Sequence, residues 1–307
     1  MSDRSPTSQR KRDHVSINLN EDVGSGLTNG FERFAFVPEA LPEIDLEDVR
    51  CDTRLFGRHL RQPFLISSMT GGAGDLEAIN VRLAEAAQAC GVAMGVGSQR
   101  AAIEDPGLRA SFEVRRHAPD ILLLANVGAA QLTAGFGVDE CRRAVDMIEA
   151  DALIVHLNAL QEAVQPEGDT RWSGVLRRIA ALTPAIGVPV VAKEVGWGIS
   201  GATARRLVDA GVEAIDVAGA GGTSWSQVEM HRAATPGARA VAAAFIDWAC
   251  RRPRAWCKVR AAVPDTPVIA SGGIRDGVEA AAKAIALGAA LVGLAGPLLR
   301  AARGHRT

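Results

Sequence analysis

Apolar runs recur along the chain from residue 63 onward, and each is followed by a glycine- or serine-containing turn and then by an amphipathic stretch. The branched residues and flanking turns of these runs predict buried strands. Eight runs have this form, at residues 64–69, 92–97, 121–126, 152–156, 190–195, 214–218, 268–271 and 290–294. Apolar residues spaced three and four apart predict helices between them, for example at residues 76–90, 139–149, 201–209 and 277–286.

Strands that are apolar throughout and alternate with helices indicate a parallel sheet covered on both faces. Eight units match the count of a (β/α)₈ TIM barrel, an α/β fold whose closure removes edge strands. An open doubly wound sheet is the competing fold. Its dinucleotide fingerprint is not matched, because the glycines of residues 219–222 lack the required spacing and follow the sixth run. We therefore predict a barrel over residues 63–307 and an N-terminal arm and extension, residues 1–62, packed on it.

The N-terminal residues are polar and charged. Residues 1–9 have no apolar periodicity and predict a mobile arm, and the alternating residues 15–19 could anchor it. The cationic residues 10–14 between them allow two interpretations. They are either a solvated basic tail or a flap that closes over an anionic substrate.

Composition narrows the class of protein. The chain has 307 residues, 48% hydrophobic and 22% charged, as in globular proteins, and its net charge is -1. No global field would therefore attract nucleic acid or an anionic membrane. The five cysteines form no CxxC pair, which favours reduced thiols, and no apolar run reaches the about 18 residues that span a bilayer. We expect a cytoplasmic protein with neither nucleic-acid nor membrane partners.

Polar and glycine residues follow the predicted strands, and in a barrel these positions converge on one face. The fourth run is followed by His156, Asn158, Gln161 and Glu162 within seven positions. Glycine-rich segments follow the seventh and eighth runs, where many barrels bind phosphate; ordinary turns are the alternative.

Lys193 lies inside an otherwise apolar run, where an ammonium needs a ligand or an acid as partner. A cation near N1 of a flavin stabilises the reduced ring, so a flavin is one candidate; a buried pair with Asp216 is the other. Glu162 suits a Mg²⁺ held by one carboxylate, waters and substrate phosphates, or it is a solvated loop residue. His156 could be a ligand contact or a structural histidine.

The motifs at these positions resemble those of the type 2 isopentenyl-diphosphate Δ-isomerase family, whose members are FMN-dependent (β/α)₈ enzymes. The resemblance runs over residues 10–299 and includes Arg-Lys-Arg-Asp-His at 10–14, His-Leu-Asn-Ala-Leu-Gln-Glu at 156–162 and Ser-Gly-Gly-Ile-Arg at 271–275. Met-Thr-Gly-Gly at 69–72 and Gly-Gly-Thr-Ser-Trp at 221–225 also match. The combination is specific, although each motif alone is not.

The resemblance implies FMN, Mg²⁺, a prenyl diphosphate substrate, NADPH as reductant and a homo-oligomer. The implied FMN contacts are Ser68, Met69, Thr70, Ser98, Asn126, Lys193, Thr223, Gly273, Arg275, Ala295 and Gly296. The implied substrate contacts are Arg10, Lys11, His14, Ser98, Arg100, His156, Asn158, Gln161 and Trp225. Gln161 and His156 are the implied catalytic residues, and Glu162 is the implied Mg²⁺ ligand.

The implied reaction shifts a double bond by proton transfer, with reduced FMN and Gln161 taking part and no net redox change. On this interpretation the site contains no pair of carboxylates for acid–base catalysis. Two alternatives stay open. The protein could be an FMN oxidoreductase of the 2-hydroxy-acid oxidase type, or a paralogue acting on another prenyl compound. It could also be a catalytically silent protein that binds a flavin or a prenyl diphosphate.

Two departures from the family pattern concern the end of the chain. Residues 248–253 read Trp-Ala-Cys-Arg-Arg-Pro where the family usually has Trp-Gly-(Ile/Val)-Pro-Thr, so we expect a changed helix start before the seventh strand. The family also continues with further helices after the eighth strand, whereas this sequence ends at Thr307.

Overall fold

The computed structural model describes residues 6–72, 76–250 and 254–304 of the chain. The strands in these residues are β1 (Thr53–Leu55), β2 (Arg58–Leu60), β3 (Phe64–Ile66), β4 (Ala93–Gly95), β5 (Leu123–Gly128), β6 (Ala152–Leu157), β7 (Val190–Glu194), β8 (Ala214–Asp216), β9 (Val268–Ser271) and β10 (Leu291–Leu294). The helices are α1 (Pro6–Asn20), α2 (Glu77–Cys90), α3 (Arg100–Glu104), α4 (Ala129–Thr133), α5 (Val138–Met147), α6 (Ala159–Val164), α7 (Val175–Leu182), α8 (Gly201–Asp209), α9 (Trp225–Arg232), α10 (Pro236–Ala243), α11 (Arg254–Ala262), α12 (Glu279–Ala286) and α13 (Gly296–Ala302). Short 3₁₀ turns lie at Phe31–Arg33, Leu46–Asp48, Pro106–Ser111 and Arg115–His117.

Strands β3 to β10 form a closed barrel in which every neighbouring pair is parallel. Each strand lies within or overlaps one of the eight predicted apolar runs, because both faces of each strand are buried. The predicted (β/α)₈ barrel is confirmed. The register places His156 opposite Lys193 and Lys193 opposite Asp216, so β6, β7 and β8 bring these three residues side by side.

The apolar core has two layers. The larger lies between the strands and the surrounding helices, and the smaller fills the barrel interior. The antiparallel hairpin β1–β2 belongs to the inner layer, since Leu55 and Leu60 pack there against residues such as Leu65 and Ile154. Burying a leucine side chain contributes about 1.5–3 kcal/mol. The hairpin therefore closes the amino-terminal end of the barrel and leaves the carboxyl-terminal end as the open one.

Two helices begin at residues whose side chains cap them. The Ser200 hydroxyl accepts a hydrogen bond from the Thr203 backbone N–H at the start of α8, and the Thr235 hydroxyl does the same for Ala238 in α10. Pro236 follows Thr235 at the first position of α10, where its missing N–H costs nothing. These local signals fix where the two helices enter from the loops above the barrel.

The prediction for the N-terminal segment was partly wrong. Residues 6–9, predicted as mobile, and residues 15–19, predicted as an alternating anchor, all belong to helix α1. Val15 and Leu19 are four residues apart, so they share one helix face and pack against the core. The same spacing fits an extended segment, which explains the error. The tip of the predicted arm, residues 1–5, lies outside the described residues.

The expected change near residue 250 falls partly outside the described residues, which omit 251–253; helix α11 begins at Arg254. The last described element is α13, directly after β10. Within the part of the chain that the structure describes, no helix is both long and apolar enough to cross a bilayer.

Candidate active site

The carboxyl ends of the barrel strands surround a cavity of about 420 Å³, and a second cavity of about 100 Å³ adjoins it. Lys11, Met69 and Lys193 line both. Pockets for cofactors and other small molecules commonly have volumes of about 300–1,000 Å³, and active sites of such barrels lie at this end. The larger cavity can therefore hold a cofactor and the smaller one part of a substrate.

Every residue that the family resemblance implies for the site lies around these two cavities. The larger one is lined by Ser68, Met69, Thr70, Lys193, Thr223, Gly273, Arg275, Ala295 and Gly296. The smaller one is lined by Arg10, Ser98, Arg100, Asn126, His156, Asn158, Gln161 and Glu162. Lys11, His14 and Trp225 line both, as do Ser68, Met69 and Lys193 of the first set. The structure thus brings the whole set together, although Ser98 and Asn126, expected at FMN, line the smaller cavity.

The wall of the larger cavity contains polar groups that can form hydrogen bonds with a ligand. The buried hydroxyl oxygens of Ser67, Ser68 and Thr70 have no hydrogen-bond partner among the described residues. Such groups are costly to bury unless a bound molecule satisfies them. Gly273 has a φ of 70°, and a Cβ there would lie 2.5 Å from the backbone carbon of Gly221. Only glycine fits this loop, whose exposed backbone can approach a phosphate closely. Hydroxyls and glycine loops of this kind fit FMN.

Lys193 is buried in β7, and its Nζ donates to the backbone carbonyl of Glu194 at 2.7 Å. The neighbouring Asp216 instead accepts hydrogen bonds from the Ser271 hydroxyl and the Ala218 backbone N–H. Burial raises the pKa of Asp216, and the nearby charge of Lys193 opposes that rise. In the described structure the lysine and aspartate therefore interact without a direct hydrogen bond. The ammonium of Lys193 lines both cavities and can meet a ligand.

Glu194 is a buried residue for which the sequence predicts no role. Its Oε2 accepts backbone N–H groups from Gly196, Trp197 and Gly198 at 2.6, 2.5 and 3.0 Å. Burial raises the pKa of this carboxyl to about 7, and the three backbone donors limit the rise. The side chain holds the loop after β7, and Val195 and Gly196 of that loop line the larger cavity.

The smaller cavity concentrates positive charge, although the chain as a whole is nearly neutral. Arg10, Lys11 and His14 extend from α1, and Arg100 comes from α3. Burial, together with the charges of Arg10 and Arg100, lowers the pKa of Lys11 to about 7. A bound polyanion would reverse this mutual repulsion, so the cavity is suited to a diphosphate.

His156 is neutral in the described structure. Burial, reinforced by the charges of Lys11 and Lys193, lowers its pKa to about 3. Its Nδ1 lies 2.8 Å from the Asn126 Oδ1, and the Asn126 amide nitrogen donates to the Val96 carbonyl. Since that oxygen can only accept, Nδ1 carries the proton and Nε2 is left as an acceptor. An anion contacting Nε2 would require the ring to take up a second proton.

Gln161 is held in place at both ends of its amide. Its Nε2 donates to Glu229 Oε1 at 2.9 Å, and its Oε1 accepts from Asn158 Nδ2 at 3.2 Å. His14 Nε2 lies 2.9 Å from the same Glu229 oxygen, and its ring packs edge-on against Trp225 with centroids 5.1 Å apart. These contacts fix the amide of Gln161 inside the smaller cavity.

Glu229 is a carboxylate next to Gln161 to which the sequence analysis assigns no role. Burial alone would raise its pKa, but the hydrogen bond and charge of His14, the Gln161 amide and the charge of Arg232 together hold the pKa below its usual range. Arg232 Nη1 donates to Glu229 Oε2 at 2.7 Å. Glu229 lies on α9, four residues after Trp225 and thus on the same helix face. This spacing does not distinguish Glu229 from a solvated helix residue, so no sequence signal identifies it.

Glu162 is buried and accepts hydrogen bonds from Asn158 Nδ2 at 2.9 Å and from the Asp169 backbone N–H at 2.7 Å. The Asn158 Oδ1 has no partner among the described residues. No group of three or more His, Cys, Asp or Glu side chains with metal-binding geometry occurs in the described ranges. The donors present are one carboxylate and one amide oxygen. They fit a Mg²⁺ that keeps waters and binds substrate phosphates.

Fold and site together define a class, the FMN-binding (β/α)₈ enzymes. The family model described as FMN-dependent dehydrogenase matches residues 156–306. A mandelate oxidase structure with an FMN adduct is similar with a TM-score of 0.60 at 20% identity, over 96% of this chain and 87% of that one. An (S)-mandelate dehydrogenase chimera is similar with a TM-score of 0.61 at 15% identity, over 96% and 88% of the two chains. At these identities the likeness concerns the fold alone.

Curated relatives define the family within that class. Isopentenyl-diphosphate delta-isomerase of Stutzerimonas stutzeri is 61% identical, over 95% of this chain and 85% of its own length. The proteins of the same name from Xanthobacter autotrophicus and Synechocystis are 57% and 56% identical, over 98% and 97% of this chain and 88% and 85% of theirs. The chain belongs to the isopentenyl-diphosphate delta-isomerase family, in its FMN-dependent type 2 form, and is an enzyme.

Proposed function

We propose that this enzyme converts isopentenyl diphosphate into dimethylallyl diphosphate, with reduced FMN and Mg²⁺ as cofactors. The observation that supports this most strongly is the pairing of the two cavities. A cavity of cofactor size, with unpartnered hydroxyls and glycine loops, adjoins a small cationic cavity lined by Gln161, whose amide is hydrogen-bonded to Glu229 behind it. This arrangement supports the binding of a flavin and a diphosphate next to one another, beside a group that can transfer a proton.

The cationic residues of the smaller cavity are proposed to bind the diphosphate. Arg10, Lys11 and Arg100 supply positive charge, and His14, Ser98 and Asn158 supply polar groups. Glu162 and the free oxygen of Asn158 are proposed to hold Mg²⁺ against the phosphate oxygens. His156 is proposed to contact the diphosphate after taking up a proton, since the Nε2 of its neutral ring is an acceptor.

The reaction moves a double bond without net oxidation, so one proton is added at one carbon and one is removed from another. Reduced FMN, when bound, supplies an electron-rich ring that stabilises positive charge near its face. Among this chain's own residues, Gln161 is oriented toward the substrate by Asn158 and Glu229. Glu229 is the ionisable group hydrogen-bonded to Gln161, and we propose that it holds or releases the proton exchanged there.

One anaerobic assay tests the proposal. The purified protein is loaded with FMN and given isopentenyl diphosphate and Mg²⁺, with the flavin either oxidised or reduced by NADPH or dithionite. We expect dimethylallyl diphosphate to form only with reduced flavin, and no stoichiometric consumption of NADPH. A protein that cannot bind FMN would refute the proposal.

Two other outcomes of that assay point to different functions. Consumption of one reductant per turnover would indicate an oxidoreductase of the 2-hydroxy-acid oxidase type. Tight binding of both FMN and substrate without turnover, even after reduction, would indicate a silent binding protein.

We also propose that the enzyme assembles with further copies of itself. Six large apolar side chains between residues 36 and 49 are at least half exposed, and Val37 and Leu46 are 92% and 88% exposed. A cluster of this kind is unusual on a monomer surface. Light scattering should give a mass above one chain, and Val37→Glu with Leu46→Glu should lower it; a monomeric unmodified protein contradicts the proposal.

A further inference from the structure

Residues 18–29, here called the N-terminal strap, form part of the wall of the larger cavity. Gly24 pairs with Thr223 in an antiparallel bridge. The Ser224 backbone N–H donates to the Val23 carbonyl at 2.8 Å, and the Ser25 N–H donates to the Gly222 carbonyl at 2.8 Å. The strap is therefore hydrogen-bonded along the loop that follows β8, and its residues 18 and 21–24 line the same cavity as that loop.

The far end of the strap holds the neighbouring loop after β9. Asn29 Nδ2 donates to the Gly273 carbonyl at 2.8 Å, and Asn29 Oδ1 accepts from the Phe31 backbone N–H at 3.0 Å. The Asn29 backbone also lies so close to Gly221 that a Cβ on that glycine would come within 2.5 Å of the Asn29 nitrogen. The loops after β8 and β9 thus both rest on the strap.

The near end of the strap joins these loops to helix α1. Asn18 Oδ1 accepts from the Thr223 hydroxyl at 2.8 Å, while its Nδ2 donates to the His14 carbonyl one turn earlier at 2.9 Å. Lys11 and His14 on the same helix line the smaller, cationic cavity. One side chain therefore connects the helix that faces the diphosphate with the threonine that faces the flavin.

We infer that Asn18 is a positioning residue that couples the diphosphate cavity to the FMN cavity. An anion bound to α1 holds the helix, and with it Asn18 and the strap, in the arrangement that the Thr223 and Gly273 loops require. The first ligand to bind then meets the entropic cost of ordering these segments. Each ligand should therefore bind more tightly in the presence of the other. This inference rests on the proposed FMN and diphosphate sites.

The test measures the dissociation constant of FMN from the apoprotein, by quenching of flavin fluorescence, with and without inorganic diphosphate and Mg²⁺. In the unmodified protein we expect diphosphate to tighten FMN binding about 5-fold or more, the usual lower range for coupled sites. Asn18→Ala should weaken FMN binding by about 2- to 10-fold, as expected for one neutral hydrogen bond, and should reduce the effect of diphosphate toward 1-fold.

Asn20 provides a matched control on the same helix. Its Nδ2 donates to the Ser16 carbonyl at 2.9 Å, so it makes the same backbone contact as Asn18, but it is exposed and does not line either cavity. Asn20→Ala should keep the FMN affinity and the effect of diphosphate of the unmodified protein. Equal losses in both variants would mean that the helix itself was damaged and would overturn the assignment to Asn18.

Thr223 provides a second, independent test. Thr223→Val should reproduce the loss of coupling, Thr223→Ser should restore most of it, and Thr223→Val should add little to it in the Asn18→Ala protein. FMN and diphosphate that both bind the unmodified protein, but without affecting each other, would overturn the inference and leave the proposed function intact. Failure of FMN to bind at all would instead refute the proposed function.

Discussion

Replacing Glu229 by Gln tests the central contact of the candidate site, because it removes a buried charge and changes little else in shape. Glu229 is fully buried and accepts hydrogen bonds from Gln161 and Arg232, with His14 also in contact. A hydrogen bond to a charged group contributes about 1.5–3 kcal/mol, which corresponds to about 10- to 100-fold in rate if it serves only to orient Gln161. Loss of a proton-transfer group costs about 10²- to 10⁴-fold. We therefore expect Glu229→Gln to lower kcat at least about 100-fold.

The same substitution should affect folding less than catalysis. Removing one partner of a buried ion pair commonly costs about 3–5 kcal/mol. Here Arg232 keeps a second carboxylate, since its Nη2 donates to Glu167 Oε1 at 2.6 Å. The loss of unfolding free energy should therefore be at or below the lower end of that range. Denaturant titration checks this value, and retained FMN binding establishes that the variant is folded.

Glu167→Gln is the matched control for Glu229→Gln. It removes another carboxylate partner of Arg232, but Glu167, unlike Glu229, is hydrogen-bonded to neither Gln161 nor His14 in the described structure. Its kcat should stay within about 3-fold of the unmodified enzyme, as expected for a partly exposed ion pair worth less than about 1 kcal/mol. If Glu229→Gln is equally active, Glu229 has no part in the proton transfer.

Three further predictions concern residues that line the smaller cavity. Because the pKa of Lys11 is about 7, the affinity for inorganic diphosphate should fall by up to about tenfold per pH unit above pH 7. Lys11→Arg should flatten this dependence, because arginine stays charged. An affinity of the unmodified protein that does not change with pH contradicts the prediction. The pKa of His156 is about 3 in the folded protein and about 6.5 in the unfolded chain, so the unfolded chain takes up the proton first as the pH is lowered. The free energy of unfolding should therefore fall by about 1.4 kcal/mol for each pH unit from pH 6.5 down to pH 3. Denaturant titrations should show that His156→Gln removes that part of the slope, and an unchanged slope counts against the neutral ring. Gln161→Ala should keep the yellow colour of bound FMN but lose most isomerisation, and unchanged turnover would show that the amide has no chemical role.

The barrel could be predicted because its signal is distributed over the whole chain. Each strand is apolar on both faces, so eight short runs separated by amphipathic stretches leave few other folds. The residues around the two cavities could be located for a related reason. In a parallel barrel the residue after each strand lies at the open end, so sequence position gives spatial position without any knowledge of contacts.

Helix α1 and Glu229 could not be predicted in this way. Helix α1 has few apolar residues, and its position depends on contacts with distant segments, such as His14 with Glu229 and Asn18 with Thr223. Glu229 lies within a helix above the barrel, not at a strand end, and a single glutamate in a polar helix resembles any solvated residue. Both features depend on tertiary packing that no local pattern specifies.

The N-terminal strap has a consequence for the order in which the molecule is built. Asn18 bonds to a residue 205 positions later, and Asn29 to one 244 positions later. Ribosomes add about 5–20 residues per second, so the strap emerges about 10–50 seconds before the glycine loops that it supports. In the nascent chain, the strap cannot form these hydrogen bonds until most of the barrel strands have been synthesised. The cofactor cavity therefore forms only after the segment that follows β10 has been synthesised, and a nascent chain should not acquire its flavin before then.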